Sequence, residues 1–238
     1  LEWNIMKRKT FDHADDYNLD DLAIITNLKA KTTDKGRVYL ADGIQLPSVT
    51  TVCGFEKAAF FAKWRADNPK EARRVTVRGN RFHLLIEKYL GNEEIDEKKF
   101  SLNEWDLFYQ LQPELDKITK VHALEVPLFS TTVGLAGRVD CVAEHDGKLC
   151  VIDFKGSNRQ KRSEDIENYF LQATAYSLMW QEMTNRPADA FKILISSEDG
   201  SVQVFEDKPI KYVKRLREVI NRYYEYMGET KELINTVS

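Results

Sequence analysis

Two carboxylates and a lysine lie near each other in the middle of the chain, each in an apolar setting. Asp140 stands in the run Val-Asp-Cys-Val, and Asp153 and Lys155 stand in the run Val-Ile-Asp-Phe-Lys. The dipeptide Asp146-Gly147 separates the two runs, and an Asp-Gly pair between alternating strands is typical of a two-residue hairpin turn. The spacing therefore predicts a β-hairpin that brings these three side chains together.

The hairpin fixes a register, because residues equally far from the turn lie opposite each other. Asp140 is then opposite Asp153, and Arg138 is opposite Lys155. Side chains alternate between the two faces of a strand, so these four share one face. That face also holds Val142 and Val151, and the other, which is predicted to be core, holds Val139, Cys141, Ala143, Cys150, Ile152 and Phe154.

Opposed carboxylates destabilise a strand pair through like-charge repulsion. A hard divalent cation held by both would remove that repulsion, and Mg²⁺ binds one or two carboxylates together with water and phosphate oxygens. Lys155 on the same face could orient an attacking water or neutralise charge that develops on a phosphate. The alternative is a solvated face on which Arg138 and Lys155 simply pair with Asp140 and Asp153. The apolar residues beside both aspartates favour an inner strand and therefore a site.

The elements that must position this hairpin follow from hydrophobic periodicity. One hairpin is predicted around Asp42-Gly43. Helices are predicted at 55–67, 79–90, 103–119, 165–183 and 209–227. Besides the hairpin around Asp42-Gly43, strands are predicted at 121–130, 136–144, 149–155, 190–196 and 201–206. The pattern indicates an α/β fold in which helices flank a central mixed β-sheet.

The domain organisation is predicted to be simple. Residues 1–46 are expected to form a polar arm that ends in the first hairpin, and residues 47–238 a single domain with a helical insertion at about 87–120. Phe60, Phe61 and Trp64 recur at helix spacing and are predicted to be core rather than a surface on which bases stack.

Charge is distributed unevenly along the chain. The segment 57–81 carries eight basic residues against two acidic ones, and charge alone favours a solvated helix face there. The alternative is a channel that binds phosphates through residues including Arg73, Arg74 and Arg78, and proximity to a site would favour it. The segment 87–116 has nine acidic residues against three lysines. It is expected to form an arch over the site through which only an unpaired strand could thread.

Composition limits the class of protein. The net charge of -3 argues against a uniformly basic nucleic-acid binder. Three cysteines are too few for a disulfide framework or a four-thiolate cluster, so a reducing compartment is expected. No apolar run approaches the roughly 20 residues of a membrane span, and no membrane association is expected. The expected location is the cytoplasm, or the mitochondrial matrix if a leader has been removed.

Short motifs occur in an order that is characteristic of one nuclease family. They are Pro47-Ser48-Val49-Thr50, Arg78-Gly79-Asn80-Arg81-Phe82-His83 with Glu87, Glu125, Gly137-Arg138-Val139-Asp140, Asp153-Phe154-Lys155, and Gln172 with Tyr176. In these motifs the chain resembles the PD-(D/E)XK nuclease superfamily. Within it the chain resembles the RecB-like exonuclease branch, which includes mitochondrial genome maintenance exonucleases and related phage exonucleases. The resemblance covers about residues 47–180.

The resemblance implies a restriction-endonuclease-like core and a site for Mg²⁺ or Mn²⁺. It implies Asp140 and Asp153 as metal ligands, His83 as an additional metal ligand or a residue of the phosphate site, and Lys155 as the catalytic lysine. It implies Glu125 as a carboxylate that either belongs to the metal site or supports it. Because the basic segment directly precedes His83, the resemblance also favours the phosphate-binding channel over the solvated face. Considered without the family, His83 would be a structural histidine and Glu125 an ordinary acid on a strand.

The resemblance also implies residues that support the site or contact DNA. Gln172 and Tyr176 share a helix face because they are four residues apart. Ser48 and Thr50 belong to the first motif, and Arg138 occupies a position where a small residue is expected.

The sequence thus predicts a metal-dependent DNA exonuclease that hydrolyses single-stranded DNA from a free end, in replication, repair or recombination. Two alternatives remain open. One is a structure-specific or restriction-type endonuclease on the same fold, and the other is a catalytically silent DNA-binding module. The intact set of Asp140, Asp153 and Lys155 argues against the second alternative.

Overall fold

The structure is a computed structural model, and it describes residues 9–14, 29–33, 36–41 and 43–228. The helices are α1 (Val49–Gly54), α2 (Ala58–Asp67), α3 (Pro69–Leu90), α4 (Leu102–Leu115), α5 (Glu167–Thr184) and α6 (Val213–Met227). The strands are β1 (Asp12–His13), β2 (Lys29–Thr33), β3 (Gly36–Ala41), β4 (Ile44–Pro47), β5 (Ile118–Ser130), β6 (Leu135–His145), β7 (Lys148–Ser157), β8 (Ala190–Ser197) and β9 (Val202–Asp207).

A mixed six-stranded sheet organises the fold, with the strand order β1-β5-β6-β7-β8-β9. β1 pairs with β5 and β7 pairs with β8 in parallel, and the other neighbours are antiparallel. Helix α5 lies between β7 and β8 in the chain and provides the long connection that a parallel pair requires. The predicted α/β class, with helices flanking a mixed sheet, is confirmed.

The β6–β7 hairpin is the predicted one. Asp146 and Gly147 have φ values of 52° and 74°, as a two-residue turn of the hairpin type requires. The register runs from His145 opposite Lys148 to Cys141 opposite Ile152, as the sequence predicts.

The hairpin is buried on both faces, which is why apolar residues flank its aspartates. Val142 and Val151 pack in a core with Trp180 of α5. Cys141 and Ile152 pack in a second core together with residues of α3 and α4. The two cores therefore lie on opposite faces of the hairpin.

The prediction that Val139 shares a face with Cys141 is wrong. Val139 packs in the core of Val142 and Val151 instead. The strict alternation of side chains is interrupted between Val139 and Val142, beside Glu125 of β5, which has a positive φ of 52°. The three cysteines are buried and free, in accord with their expected role as small apolar residues.

The acidic segment does not form an arch. Helix α4 begins at a capping box made by Ser101 and Glu104, and it packs against the sheet through Leu107, Leu111 and Leu115. The prediction of an arch at 87–116 is therefore wrong, because the apolar face of α4 is part of the second core.

Helix α3 is longer than predicted, and α2 is more exposed. α3 begins at Pro69, a residue favoured in the first turn of a helix because it has no N–H to leave unpaired. None of the residues of α2 is buried. The prediction that Phe60, Phe61 and Trp64 are core is wrong for the first two, whose exposed fractions are 68% and 44%, while Trp64 is half-buried.

The N-terminal region contributes to the fold where it is described. The hairpin around Gly43 is confirmed as β3–β4, although Asp42 lies outside the described residues. Phe11 is buried in the second core, and its backbone N–H bonds to Asn92 Oδ1 at 2.9 Å. The expected loose arm thus includes a segment at 9–14 that packs on the domain. None of the helices in the described part of the chain is long and apolar enough to cross a membrane.

Candidate metal centre

The hairpin opens into a fork immediately beyond the pair Cys141 and Ile152. Beyond this point β6 remains paired with β5 as far as Leu135, and β7 remains paired with β8 as far as Ser157. Each strand follows its outer neighbour, so a gap opens between β6 and β7. The side chains of Asp140, Asp153 and Lys155, which the sequence predicts to form the site, lie at this gap.

The register predicted for the aspartates therefore needs correction. The hydrogen-bonded register between β6 and β7 ends before Asp140 and Asp153, and the Asp140 carboxylate occupies the gap. Its Oδ2 accepts a hydrogen bond from the backbone N–H of Phe154 at 2.9 Å. The predicted pairing of Arg138 with Lys155 is also absent, because the register between β6 and β7 ends at Cys141 and Ile152.

Three predicted metal ligands converge at this fork. One ligand atom each from His83, Glu125 and Asp140 lies within 4.8 Å of the others, and this is the one such group of three found among the described residues. His83 comes from α3, and its Nδ1 is 3.5 Å from Asp140 Oδ2. Glu125 and Asp140 come from adjacent strands of the sheet.

Glu125 is held in an unusual backbone conformation. Its φ of 52° lies in the left-handed region, which a residue with a Cβ rarely occupies. Arg138 stabilises this turn by donating a hydrogen bond from Nη1 to the Glu125 carbonyl oxygen at 2.8 Å. Burial, followed by the charges of Asp140 and Glu87, raises the pKa of Glu125 to about 8. A cation bound between these carboxylates would reverse that shift.

Asp153 forms an ion pair with Lys155 rather than joining the group of three ligands. Lys155 Nζ lies 2.7 Å from Asp153 Oδ1 and 2.6 Å from Oδ2. Burial raises the pKa of Asp153, and the ammonium group of Lys155 opposes that shift. The charges of Asp153 and Asp140 raise the pKa of Lys155 against the effect of burial, so the lysine stays protonated.

The donors at the fork fit a hard divalent cation. They provide carboxylate oxygens and one imidazole nitrogen, a set suited to Mg²⁺ or Mn²⁺ with water completing the coordination. Asp153 Oδ2 is also buried and, although it touches the lysine, has no hydrogen-bond partner of good geometry. A buried carboxylate oxygen in that state has free capacity for a further ligand.

Helix α5 packs against the other side of the fork. Tyr176 is buried, and burial together with the charges of Asp140 and Asp153 raises its pKa well above the usual value. A Cβ at position 137 would lie 2.6 Å from the Tyr176 hydroxyl oxygen, so glycine is required there for the close approach. Gln172 is buried on the same helix.

Sequence reasoning missed one residue of α5. The Tyr169 ring centroid lies 5.1 Å from Lys155 Nζ, a distance suited to a cation–π contact. The sequence spacing could have identified Tyr169. Tyr169, Gln172 and Tyr176 recur at i, i+3 and i+7, which places them on one face of a helix.

The two residues of the first motif have different positions. Ser48 is buried and caps α1, and its Oγ accepts a hydrogen bond from the Thr51 N–H at 3.1 Å. Ser48 also bridges to Ala136 of β6. Thr50 is exposed, and its hydroxyl lies 3.1 Å from Ser48 Oγ. Neither residue belongs to the group of ligands at the fork.

The three arginines predicted to line a channel differ in their surroundings. Arg78 is buried, with Nη1 2.6 Å from Glu198 Oε1. Arg74 bonds to Glu71 at 2.7 Å and to Glu198 at 2.6 Å. Arg73 is exposed and has no ion pair within the described part of the chain. The structure therefore differs from the expected channel, because ion pairs hold two of its three arginines.

A family model described as the PD-(D/E)XK nuclease superfamily matches residues 105–233, a range that includes Asp140, Asp153 and Lys155.

Three curated relatives are named mitochondrial genome maintenance exonuclease 1. The chain is 34% identical to the human protein over 133 residues, which are 53% of this chain and 38% of that protein. It is 27% identical to the protein of Xenopus tropicalis over 191 residues, which are 74% of this chain and 55% of that protein. It is 30% identical to the mouse protein over 147 residues, which are 55% of this chain and 43% of that protein. The matches thus span between 38% and 55% of the length of these relatives.

Proposed function

The chain belongs to the PD-(D/E)XK nuclease superfamily, as the motif order predicts, and from that premise we propose that it is a metal-dependent exonuclease acting on single-stranded DNA from a free end. One observation supports the proposal most strongly. The ligand atoms of His83, Glu125 and Asp140 lie within 4.8 Å of one another, beside the ion pair of Asp153 and Lys155.

The proposed site holds Mg²⁺ or Mn²⁺ through His83, Glu125 and Asp140, with Asp153 as a further ligand through its unbonded Oδ2. A bound divalent cation would supply positive charge for the phosphate oxygens and would make a water molecule a stronger nucleophile. The residues of the chain then position the substrate and the water around it.

Lys155 is the proposed catalytic lysine. Its pKa is raised by the two aspartates, so it carries a positive charge at neutral pH. From its place at the fork, the ammonium group can donate hydrogen bonds to a phosphate oxygen or orient the attacking water. Asp153 and the ring of Tyr169 restrict the position of Nζ, so the charge is directed before the substrate binds.

Arg138 and Tyr176 are proposed as supporting residues. Arg138 fixes the backbone of Glu125 through its carbonyl oxygen. Tyr176 is buried beside the two aspartates and fills the space above Gly137. Both act through the ligands they position. Gln172, which is buried on the same helix as Tyr176, is also a proposed supporting residue, together with Ser48 and Thr50.

The exonuclease activity and the DNA substrate are suggested by the names of the relatives. Those names also suggest a role in genome maintenance and a mitochondrial location, whereas cysteine usage is equally compatible with a cytoplasmic one. An endonuclease on the same fold and a silent DNA-binding module are the competing functions. The second is disfavoured because the ligand group and the lysine are both present.

Purified protein tests the proposal directly. It should degrade linear single-stranded DNA with Mg²⁺ or Mn²⁺ and not with a chelator, and RNA of the same sequence should be a poorer substrate. The variant Lys155→Ala is the matched control for a contaminating nuclease. Equal degradation by parent and variant would refute the assignment of the site.

A further inference from the structure

Helix α2 exposes aromatic side chains that a soluble domain normally buries. Phe60 and Phe61 are 68% and 44% exposed, and their rings pack on each other in an edge-to-face contact with centroids 5.4 Å apart. Trp64 lies one turn later on the same face and is half-buried. A cluster of exposed aromatic residues is more often an interaction surface than an exposure without function.

The charge of α2 indicates the class of partner. Lys63 and Arg65 are exposed, and neither forms an ion pair within the described ranges. Asp67 is the one acidic residue of the helix. Aromatic rings combined with unpaired cations are the features with which proteins bind unpaired nucleic-acid strands, through stacking on the bases and contact with the phosphates.

The position of α2 connects this surface to the fork. Lys57, which directly precedes α2, donates a hydrogen bond from Nζ to the Asp165 carbonyl oxygen at 2.7 Å, and Nζ lies 3.5 Å from Asn168 Oδ1. Asn168 is adjacent in sequence to Tyr169, whose ring lies against Lys155. The start of α2 is therefore close to the first turn of α5, which carries Tyr169, and Phe60 and Phe61 follow one turn later.

We propose that the face of α2 formed by Phe60, Phe61 and Trp64 is a stacking surface for unpaired bases of the substrate strand, and that Lys63 and Arg65 contact its phosphates. The inference rests on the proposed function for the nature of the strand. Stacking tolerates any base, because every base has an aromatic face, so the surface would hold a strand without selecting a sequence. Duplex DNA has no unpaired bases to offer and would bind this face weakly.

The test compares two ligands that differ in their bases alone. Binding of poly(dT) and of an abasic oligonucleotide of the same length is measured by fluorescence anisotropy, in the presence of a chelator so that no hydrolysis occurs. The variants are Phe60→Ala with Phe61→Ala, Lys63→Ala with Arg65→Ala, and Ile210→Ala as a control. Ile210 is 73% exposed, so its variant also removes an exposed apolar side chain.

The expected results distinguish stacking from charge. Loss of the two phenylalanines should weaken poly(dT) binding about 5- to 100-fold and leave binding of the abasic strand nearly unchanged. Loss of the two cations should weaken both ligands and reduce the log–log salt slope by about 0.7 for each phosphate that the protein no longer neutralises. Ile210→Ala should match the parent, and all variants should keep its melting temperature because the changed residues are exposed.

Equal poly(dT) binding by the parent and the phenylalanine variant would overturn the inference. So would a variant that loses self-association in sedimentation while keeping its DNA affinity, because the face would then bind a second copy of the chain. The failure of the proposed function has a different signature, since the parent protein would then fail to hydrolyse DNA whatever the state of α2.

Discussion

The Asp140 carboxylate accepts a hydrogen bond from the backbone N–H of Phe154, with 2.9 Å between Oδ2 and N. In a regular hairpin this N–H would face a backbone carbonyl oxygen of the neighbouring strand or solvent. Here a side chain takes that place at the point where β6 and β7 separate, so the polar backbone group is satisfied at the fork. The same bond fixes one oxygen of Asp140 beside His83.

This geometry predicts different effects for the two aspartates. Asp140→Asn keeps an oxygen acceptor for Phe154 and removes a negative charge next to Glu125, so the metal-free variant should melt at or above the temperature of the parent. Asp153→Asn removes the charge that balances Lys155, so it should melt lower, because an uncompensated buried charge is destabilising. Calorimetry with a chelator present measures the melting temperatures of both variants and of the parent.

Both variants should lose at least about 100-fold in nuclease activity, since each removes a proposed metal ligand. Retention of full turnover by either would show that its carboxylate is not needed. A lower melting temperature for Asp140→Asn than for Asp153→Asn would contradict the assigned pairing of Asp153 with Lys155.

The pH dependence of stability should identify Glu125. Its pKa is raised from 4.5 to about 8 in the folded protein, so the folded state binds the proton more tightly than the unfolded chain does. The resulting stabilisation is complete below about pH 4.5 and is lost as pH rises through about 8. The loss should be roughly 2 kcal/mol, since partial exposure of the group screens the shift.

Chemical denaturation at a series of pH values, with and without Mg²⁺, measures this loss. Glu125→Gln should flatten the pH dependence of the metal-free protein, and Mg²⁺ should flatten it for the parent. If the parent and Glu125→Gln lose stability in parallel above neutral pH, the carboxylate is not the titrating group.

The sequence predicts the part of the hairpin near its turn better than the part near the fork. The Asp146-Gly147 turn and the apolar flanks predict the hairpin and the closeness of Asp140 to Lys155. The fork is not predictable from these residues, because it arises where β6 and β7 follow their outer neighbours β5 and β8. The β7–β8 pairing joins strands on either side of α5, and the β5–β6 pairing contains register shifts, so local periodicity does not predict the course of either pair.

Helix α2 shows a second limit of the pattern. Phe60, Phe61 and Trp64 repeat at helix spacing, and the helix is present as predicted. Periodicity identifies an apolar face, but whether another element covers that face depends on the tertiary arrangement. The start of α3 at Pro69 was not predicted, although Asn68-Pro69 is a recognisable N-terminal signal of a helix.

Arg73 and Arg74 are a matched pair that tests whether the exposed cations of α3 contact the phosphates of a bound strand. Arg73 is exposed without an ion pair in the described residues, and Arg74 is bonded to Glu71 and Glu198. Arg73→Ala should reduce the log–log salt slope of single-strand binding by about 0.7. Arg74→Ala should change the slope less, because its charge is already neutralised. The reverse order would place the bound strand on the side of α3 that carries Arg74.

A buried lysine at the far end of the hairpin predicts an effect on stability alone. Lys192 is 1% exposed, and its Nζ donates hydrogen bonds to His145 Nδ1 at 2.8 Å and to Asp146 Oδ2 at 2.9 Å. Lys192→Met should lower the free energy of unfolding by about 1 to 3 kcal/mol, because the buried ring nitrogen loses its donor. The nuclease activity measured below the melting temperature should be unchanged.

The contact between Lys192 and His145 also predicts how stability depends on pH. Burial, followed by the charge of Lys192, lowers the pKa of His145 from 6.5, so the neutral ring is preferred in the folded protein. The parent should therefore be fully stabilised above pH 6.5 and lose stability as pH falls below it. In Lys192→Met this acid loss should be smaller. An unchanged or larger acid loss would remove Lys192 as a cause of the shift.

Digestion of end-labelled single-stranded DNA tests both the requirement for a free end and the proposed metal site. The length of the labelled product is followed against time with Mg²⁺, for strands labelled at either end and for a covalently closed circle of the same sequence. We expect rapid stepwise degradation of the linear strand, an intact circle, and no reaction with Asp140→Asn. Cutting of the circle at the rate of the linear strand would contradict the free-end requirement, and equal activity of Asp140→Asn would contradict the site itself.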